Sequence, residues 1–273
     1  MPEAVLIGKG LSVAYGGVKA LSDVDIEVRR GEVVGLIGPN GAGKTSFIDG
    51  VTGFATMSGD LRLDGTSLTG VRAHRRSGLG LSRTWQSVAL FDDLTVRENV
   101  AVAAKRGARR SGAQSHADRV QGAMDRVGIA EHASRLPGEL SHGQRVLVGV
   151  ARAIAAEPQV VLMDEPAAGL DDAEGRELGL FIRKLASEGM GILLVDHDMN
   201  LVLDVCDRLY VLDFGRLIAS GSPQEISNDP AVIRAYLGGG DEVDSADPDV
   251  VTPADIADAD EIELEPVDIE EEK

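Results

Sequence analysis

The chain has 273 residues, 43% of them hydrophobic, 26% charged and only 3% aromatic, which is enough apolar material for a real core in one large domain or two lobes. A single cysteine, Cys206, excludes a disulfide scaffold and suits a reducing compartment. The net charge of −18 is concentrated after position 240, where fifteen acids stand against one base; residues 1–240 carry only 30 acids against 26 bases, and no basic stripe offers itself to nucleic acid.

The sequence opens with Met1-Pro2-Glu3-Ala4, without the basic and apolar regions of a secretion signal. The longest apolar runs are strand-sized, too short to cross a bilayer, so a cytosolic chain is expected. Residues 5–7, 11–14 and 24–28 form short alternating segments punctuated by glycines such as Gly16-Gly17, which predicts an N-terminal antiparallel β layer. Then comes Glu32-Val33-Val34-Gly35-Leu36-Ile37, an apolar run that ends in a glycine-rich turn and leads into a helix-compatible stretch from Lys44. Continuous apolar runs recur at 160–163 and 192–195, each after a helix-like segment, as buried parallel strands do. The fold class is therefore α/β.

Between 96 and 139 alanine, arginine and glutamine replace the β-branched runs, and residues 118–127 place Val120, Met124 and Val127 on one helical face. This predicts an inserted helical subdomain, spanning about 90–150. Strands at 208–212 and 216–219 and a helix at 230–237 close the ordered part, read as one domain over 1–237. Residues 238–273 are too acidic and too poor in large apolar side chains to bury anything, and are read as a disordered tail. The basic run Lys105-Arg106-Gly107-Ala108-Arg109-Arg110 is read as a solvated loop.

Gly38-Pro39-Asn40-Gly41-Ala42-Gly43-Lys44-Thr45 fits G-x-x-x-x-G-K-[ST] at every fixed position, between a predicted strand and a predicted helix, the context the motif requires. The glycines let successive N–H groups point inward at phosphate oxygens, and the helix adds its positive end. Lys44 would reach the β- and γ-phosphates and Thr45 would give its hydroxyl to Mg²⁺; Ser46 completes the nucleotide-binding set. Val160-Val161-Leu162-Met163-Asp164-Glu165 is an apolar strand ending in two acids, which places carboxylates at the sheet's carboxyl edge beside the phosphate loop. Asp164 would hold the magnesium through water and Glu165 would polarise an attacking water. Away from a phosphate loop, the same pair would read as acids capping a strand before Pro166.

With Leu140-Ser141-His142-Gly143-Gln144 about twenty residues before that acidic pair, residues 5–237 resemble the ATP-binding subunit of an ABC transporter. The resemblance implies a P-loop NTPase fold with a RecA-like core, an N-terminal antiparallel β layer and an inserted helical subdomain. It makes Ser141, His142, Gly143 and Gln144 a signature that binds ATP held by the opposite subunit, although the family usually has glycine where His142 stands. Ser141 is also a good N-cap for the helix that follows. Tyr15 matches the aromatic residue that stacks on adenine, though a lone tyrosine in a hairpin is more often packing. Gln86, in Arg83-Thr84-Trp85-Gln86, matches the glutamine that senses magnesium and the γ-phosphate; otherwise it is a surface amide after a buried tryptophan. His197 matches the switch histidine that contacts the γ-phosphate. Asp171, in Gly169-Leu170-Asp171, matches the polar contact of a loop that crosses the dimer interface, and Ala168 stands where a serine is more common.

The resemblance further implies ATP and Mg²⁺ as cofactors, with Thr45, Gln86 and Asp164 as the metal set and Glu165 and His197 as the catalytic pair. It also implies a second cassette, identical or not, integral membrane permease subunits, an extracytoplasmic solute-binding protein, and a place on the inner face of the membrane. Thr84-Trp85-Gln86-Ser87-Val88-Ala89-Leu90-Phe91 and Asp164-Glu165-Pro166-Ala167-Ala168-Gly169-Leu170 are similar to the cassettes of branched-chain amino acid importers, a likeness shared with urea and short-chain amide importers. A non-transport ABC ATPase is the competing class, but such proteins usually carry tandem cassettes or a long coiled-coil insertion, and no sustained heptads occur here.

Overall fold

The computed structural model describes residues 3–85, 89–104 and 115–237. Gln86, the basic run at 105–110 and the acidic tail lie outside the described residues.

Two long strands, β1 (Ala4–Tyr15) and β2 (Val18–Arg29), pair antiparallel around the Gly16-Gly17 turn. They replace the three shorter segments expected from the sequence. The apparent break at Lys9-Gly10 is a bulge: the register against β2 shifts between Gly8 and Leu11, and the strand continues beyond it. The chain passes through β3 (Val33–Ile37) and α1 (Lys44–Thr52), then returns to the first sheet with β4 (Met57–Leu63), antiparallel to β1, and β5 (Thr66–Ser67). The order of that sheet is β2-β1-β4-β5. β4 went unread in the sequence because Ser58, Gly59 and Asp60 are all exposed and give no alternation.

The rest of the chain builds the second sheet and its cover. α2 (Ala73–Leu79) leads into β6 (Leu81–Arg83); α3 (Val96–Ala104), α4 (His116–Arg126) and α5 (His142–Ile154) follow. Then strand and helix alternate: β7 (Val160–Asp164), α6 (Asp172–Ser187), β8 (Gly191–Val195), α7 (Met199–Val205), β9 (Arg208–Asp213). β10 (Arg216–Gly221), α8 (Pro223–Ser227) and α9 (Pro230–Leu237) close it. The six strands run in the order β10-β9-β3-β8-β7-β6, all pairs parallel except the β9–β10 hairpin.

Both faces of this sheet are covered, which is why its strands read as unbroken apolar runs. Within each run the side chains still alternate. Val33, Ile37, Val161, Met163, Ile192 and Leu194 pack with α3 to α7, whereas Val34, Leu36, Val160, Leu162, Leu193 and Val195 pack with α1 and the antiparallel sheet. Val120, Met124 and Val127 enter the first of these clusters together, as their helical spacing predicted. Buried Asn99 fastens the entrance to the helical region: it donates to the carbonyls of Phe91, Leu94 and Thr95 and accepts from the Phe91 N–H. Among the described residues no helix is long and apolar enough to cross a membrane.

The bulge in β1 depends on a glycine across from it. Gly59 has φ +101°, and a Cβ there would fall 2.5 Å from the Gly10 carbonyl oxygen and 2.7 Å from that of Lys9. Neither backbone group can give way cheaply, so Gly59→Ala should lower stability by about 1–3 kcal/mol, read as a reduced urea midpoint with an unchanged slope.

Candidate functional site

The loop from Gly38 to Gly43 joins β3 to α1 and is shaped from outside. A Cβ on Gly38 would stand 2.2 Å from the Leu212 carbonyl oxygen of β9, and one on Gly43 would stand 2.6 Å from the Ala20 carbonyl oxygen of β2. The turn after β9 locks the arrangement: the Gly215 N–H donates to the Ala42 carbonyl at 3.1 Å, and the Gly215 carbonyl accepts from Ser22 at 2.8 Å. Side chains are therefore excluded where the backbone must curl. Gly43 also serves as the N-cap of α1 without a side-chain cap bond, whereas Ser141 and Asp171 cap α5 and α6 with their side chains. The first N–H groups of α1 keep their capacity for an anion.

Lys44 lies across its own loop, its Nζ donating to the carbonyls of Gly38 (2.7 Å) and Pro39 (2.9 Å). Burial pushes its amine below the ordinary lysine range, while the charges of Glu165 and Asp164 pull it back up. Those acids arrive because the parallel sheet ends β3, β8 and β7 along one edge. Asp164 is buried; its Oδ2 accepts from Arg83 at 2.8 Å and its backbone N–H donates to Thr84 Oγ1 at 3.3 Å. Burial raises its carboxyl against the opposing pull of Arg83. Glu165 then leaves the strand with φ +44°, a conformation uncommon for a residue with a side chain. Its backbone N–H donates to Val195 of β8 at 2.7 Å.

His197, exposed just beyond β8, has its Nδ1 3.8 Å from Glu165 Oε2 and 3.7 Å from Asp196 Oδ1. Lys44, Asp164, Glu165 and His197, four residues spread over more than 150 positions, thus occupy one edge of the sheet. Asp196, given no role from sequence, is buried and accepts from the N–H groups of Ala167 (3.1 Å) and Asp198 (3.0 Å). Burial raises its carboxyl too, with these bonds opposing. The available signal was an acid directly after a fully apolar strand.

A second group gathers at the N-terminus of α5. Ser141 and Gln144 form a capping box, each side chain bonded to the other's backbone N–H at 3.2 and 3.0 Å. His142 is exposed, and its Nε2 donates to the Ala168 carbonyl at 2.9 Å. Gly143 is buried against Glu174, whose Oε1 would be 2.6 Å from any Cβ there. Asp171 accepts from Ala173 (2.8 Å) and Glu174 (2.9 Å) as the N-cap of α6. Tyr15 is exposed at the end of β1. Trp85 is not buried as the sequence suggested: it is 44% exposed, because its ring packs edge-on to the equally peripheral Phe54, centroids 5.3 Å apart, and covers Arg83 rather than entering the core.

The family model for ABC transporters matches residues 21–168. The chain belongs to this family. It is accordingly an ABC-type ATPase, hydrolysing ATP to ADP and phosphate to drive transport, and cassettes of this family work in pairs with membrane permease subunits. A second model, that of the branched-chain amino acid ATP-binding cassette transporters, matches residues 216–242. The high-affinity branched-chain amino acid transport ATP-binding protein LivG of Salmonella typhimurium is 40% identical over 253 residues, covering 87% of this chain and 99% of the relative. The lipopolysaccharide export system ATP-binding protein LptB of Haemophilus influenzae is 35% identical, covering 86% and 98%. Among solved structures, the ADP conformation of an ATP-binding cassette of an ABC transporter matches with a TM-score of 0.77 at 27% identity, covering 86% of this chain and 99% of the other.

Asp196→Ala would leave the Ala167 and Asp198 N–H groups without their acceptor. A loss of about 2–4 kcal/mol is expected for two such groups, measured by equilibrium unfolding in urea.

Proposed function

We propose that this ATPase powers uptake of branched-chain amino acids through separate permease subunits. The supporting observation is the match of residues 216–242 to the branched-chain amino acid cassette model, in a chain that is 40% identical to LivG over almost all of that protein. The working assembly would be two cassettes, identical or not, placed head to tail on the inner face of the membrane, fed by an extracytoplasmic solute-binding protein.

In this reading the loop and helix start at 38–46 bind the phosphates through their free backbone N–H groups, Pro39 having none, and through the Lys44 amine, and Tyr15 stacks on adenine. Lys44 has two of its three N–H donors on the Gly38 and Pro39 carbonyls, and the phosphates offer it charged acceptors for the third or in exchange. Thr45 would hold Mg²⁺ through its hydroxyl and Asp164 would hold it through water. Their hard oxygen donors suit that ion, and the described residues contain no cluster of three His, Cys, Asp or Glu side chains for a cage, so phosphate oxygens and water would complete its shell. The ion's contribution is to neutralise charge on the β- and γ-phosphates. Gln86 belongs to this set by motif.

Glu165 would orient the attacking water and accept its proton, and His197 would contact the γ-phosphate from the other side of the water. The left-handed backbone at Glu165 serves this role by turning the residue off the strand. Ser141, His142, Gly143 and Gln144 would close on the ATP of the opposite subunit, offering the positive end of α5 to its γ-phosphate, with Asp171 at the same interface. Catalysis on this account is positioning and electrostatics rather than covalent chemistry.

Glu165→Gln should leave ATP affinity within a few-fold while lowering turnover by about 100-fold or more, measured by phosphate release and by equilibrium binding of labelled ATP. Lys44→Ala should weaken ATP binding itself by about 10- to 100-fold. In cells whose own copy carries Glu165→Gln, uptake of labelled leucine should be lost and uptake of labelled urea retained; the reverse pattern would move the cargo to the amide class.

A further inference from the structure

Arg83, the last residue of β6, is held between two acids of different elements. One terminal nitrogen donates to Asp49 Oδ1 on α1 at 2.6 Å and the other to Asp164 Oδ2 on β7 at 2.8 Å. The side chain is 10% exposed, that of Asp164 only 4% and that of Asp49 29%. Its Nε is buried without a hydrogen-bond partner, and the ring of Trp85 covers the guanidinium at 4.7 Å from its carbon. Burying one cation with a carboxylate costs desolvation that is repaid only by good geometry, and the forked guanidinium supplies it to two carboxylates at once.

The two anchors matter by where they lead. α1 carries Asp49 and begins at the phosphate loop; β7 ends at Asp164, the carboxylate read above as holding magnesium through water. One planar group therefore fixes the separation between the phosphate loop's helix and that carboxylate. Asp164 has a second nearby cation in Lys44, but that amine is bonded to its own loop.

We propose that Arg83 is a positioning residue for metal loading, bracing the Asp164 carboxylate against α1 so that metal and phosphate meet at a set distance. The proposal rests on Asp164 holding the metal, and a test must separate the two. Mn²⁺, standing for Mg²⁺, is titrated into the full-length ADP-bound protein and followed by electron paramagnetic resonance; ADP affinity in EDTA is measured separately by calorimetry.

Arg83→Lys, which keeps the charge but cannot fork, should raise the Mn²⁺ dissociation constant about tenfold while ADP affinity in EDTA stays within about twofold. Asp49→Asn, which takes the charge from the α1 anchor alone and so weakens it, should shift Mn²⁺ affinity in the same direction by less, and it serves if the Arg83 variant does not fold. Unchanged or tighter Mn²⁺ binding in both variants would overturn the proposal, leaving Arg83 as a counter-ion alone. An equal loss of ADP affinity in EDTA would overturn it as well, since the whole loop would then have been disturbed. Asp164→Asn separates the two readings: if that substitution leaves Mn²⁺ affinity unchanged, the metal assignment fails and the brace with it; if it weakens Mn²⁺ while the Arg83 and Asp49 variants do not, only the brace fails.

Discussion

The constraint on which the molecule turns is steric exclusion at the phosphate loop. Backbone N–H groups can surround an anion only where the chain curls tightly, and here the curl is imposed by carbonyls of β2 and β9 that come too close to Gly38 and Gly43 for any side chain. The loop is thus shaped by two sheets at once: β9 belongs to the parallel sheet and β2 to the antiparallel one. The N-terminal layer is more than a lid on the core, because without Ala20 and Ser22 the loop would lose one wall of its mould.

Charge is the second organising force, and it follows from the first. Putting the loop at the edge of a parallel sheet brings the ends of β7 and β8 beside it, and with them Asp164 and Asp196, both buried acids whose carboxyls burial pushes upward. Each is kept by specific donors: a guanidinium for Asp164, two backbone N–H groups for Asp196. The differing solutions fit their different places. Asp196 ties strand to loop and needs no mobile partner, whereas Asp164 is held by a side chain that itself reaches α1.

Much of this was legible in the sequence. Spacing and context announced the loop and the acids at the end of β7, because each depends on local pattern: glycines at fixed intervals, or an apolar run that stops at acids; the histidine after β8 was singled out through the family resemblance. Parallel strands declared themselves through unbroken Val, Leu and Ile. What stayed hidden depends on distant partners. The bulge in β1 looked like a gap between two strands because it shows only in the register against the partner strands; β4 carried no alternation on its exposed half; Trp85 looked like core until Phe54 and Arg83 supplied an edge site for it. Arg83 itself was just a residue in a motif, since neither Asp49 nor Asp164 is near it in the chain.

The bond from His142 to the Ala168 carbonyl has a mechanical meaning. Between Glu165 and Asp171 the chain is fastened in sequence to β8 through Val195, to Asp196 through Ala167, to α5 through Ala168 and to α6 through its own cap. The segment behaves as a strap riveted at four points, not as a slack connection. In a head-to-tail pair of the kind proposed, one end of the strap would lie in a subunit's own reaction site and the other against its neighbour's, so the two would be geared: a shift at one Glu165 would be delivered as a displacement of the α5 tip that closes the opposite site, without any signal having to pass through the core.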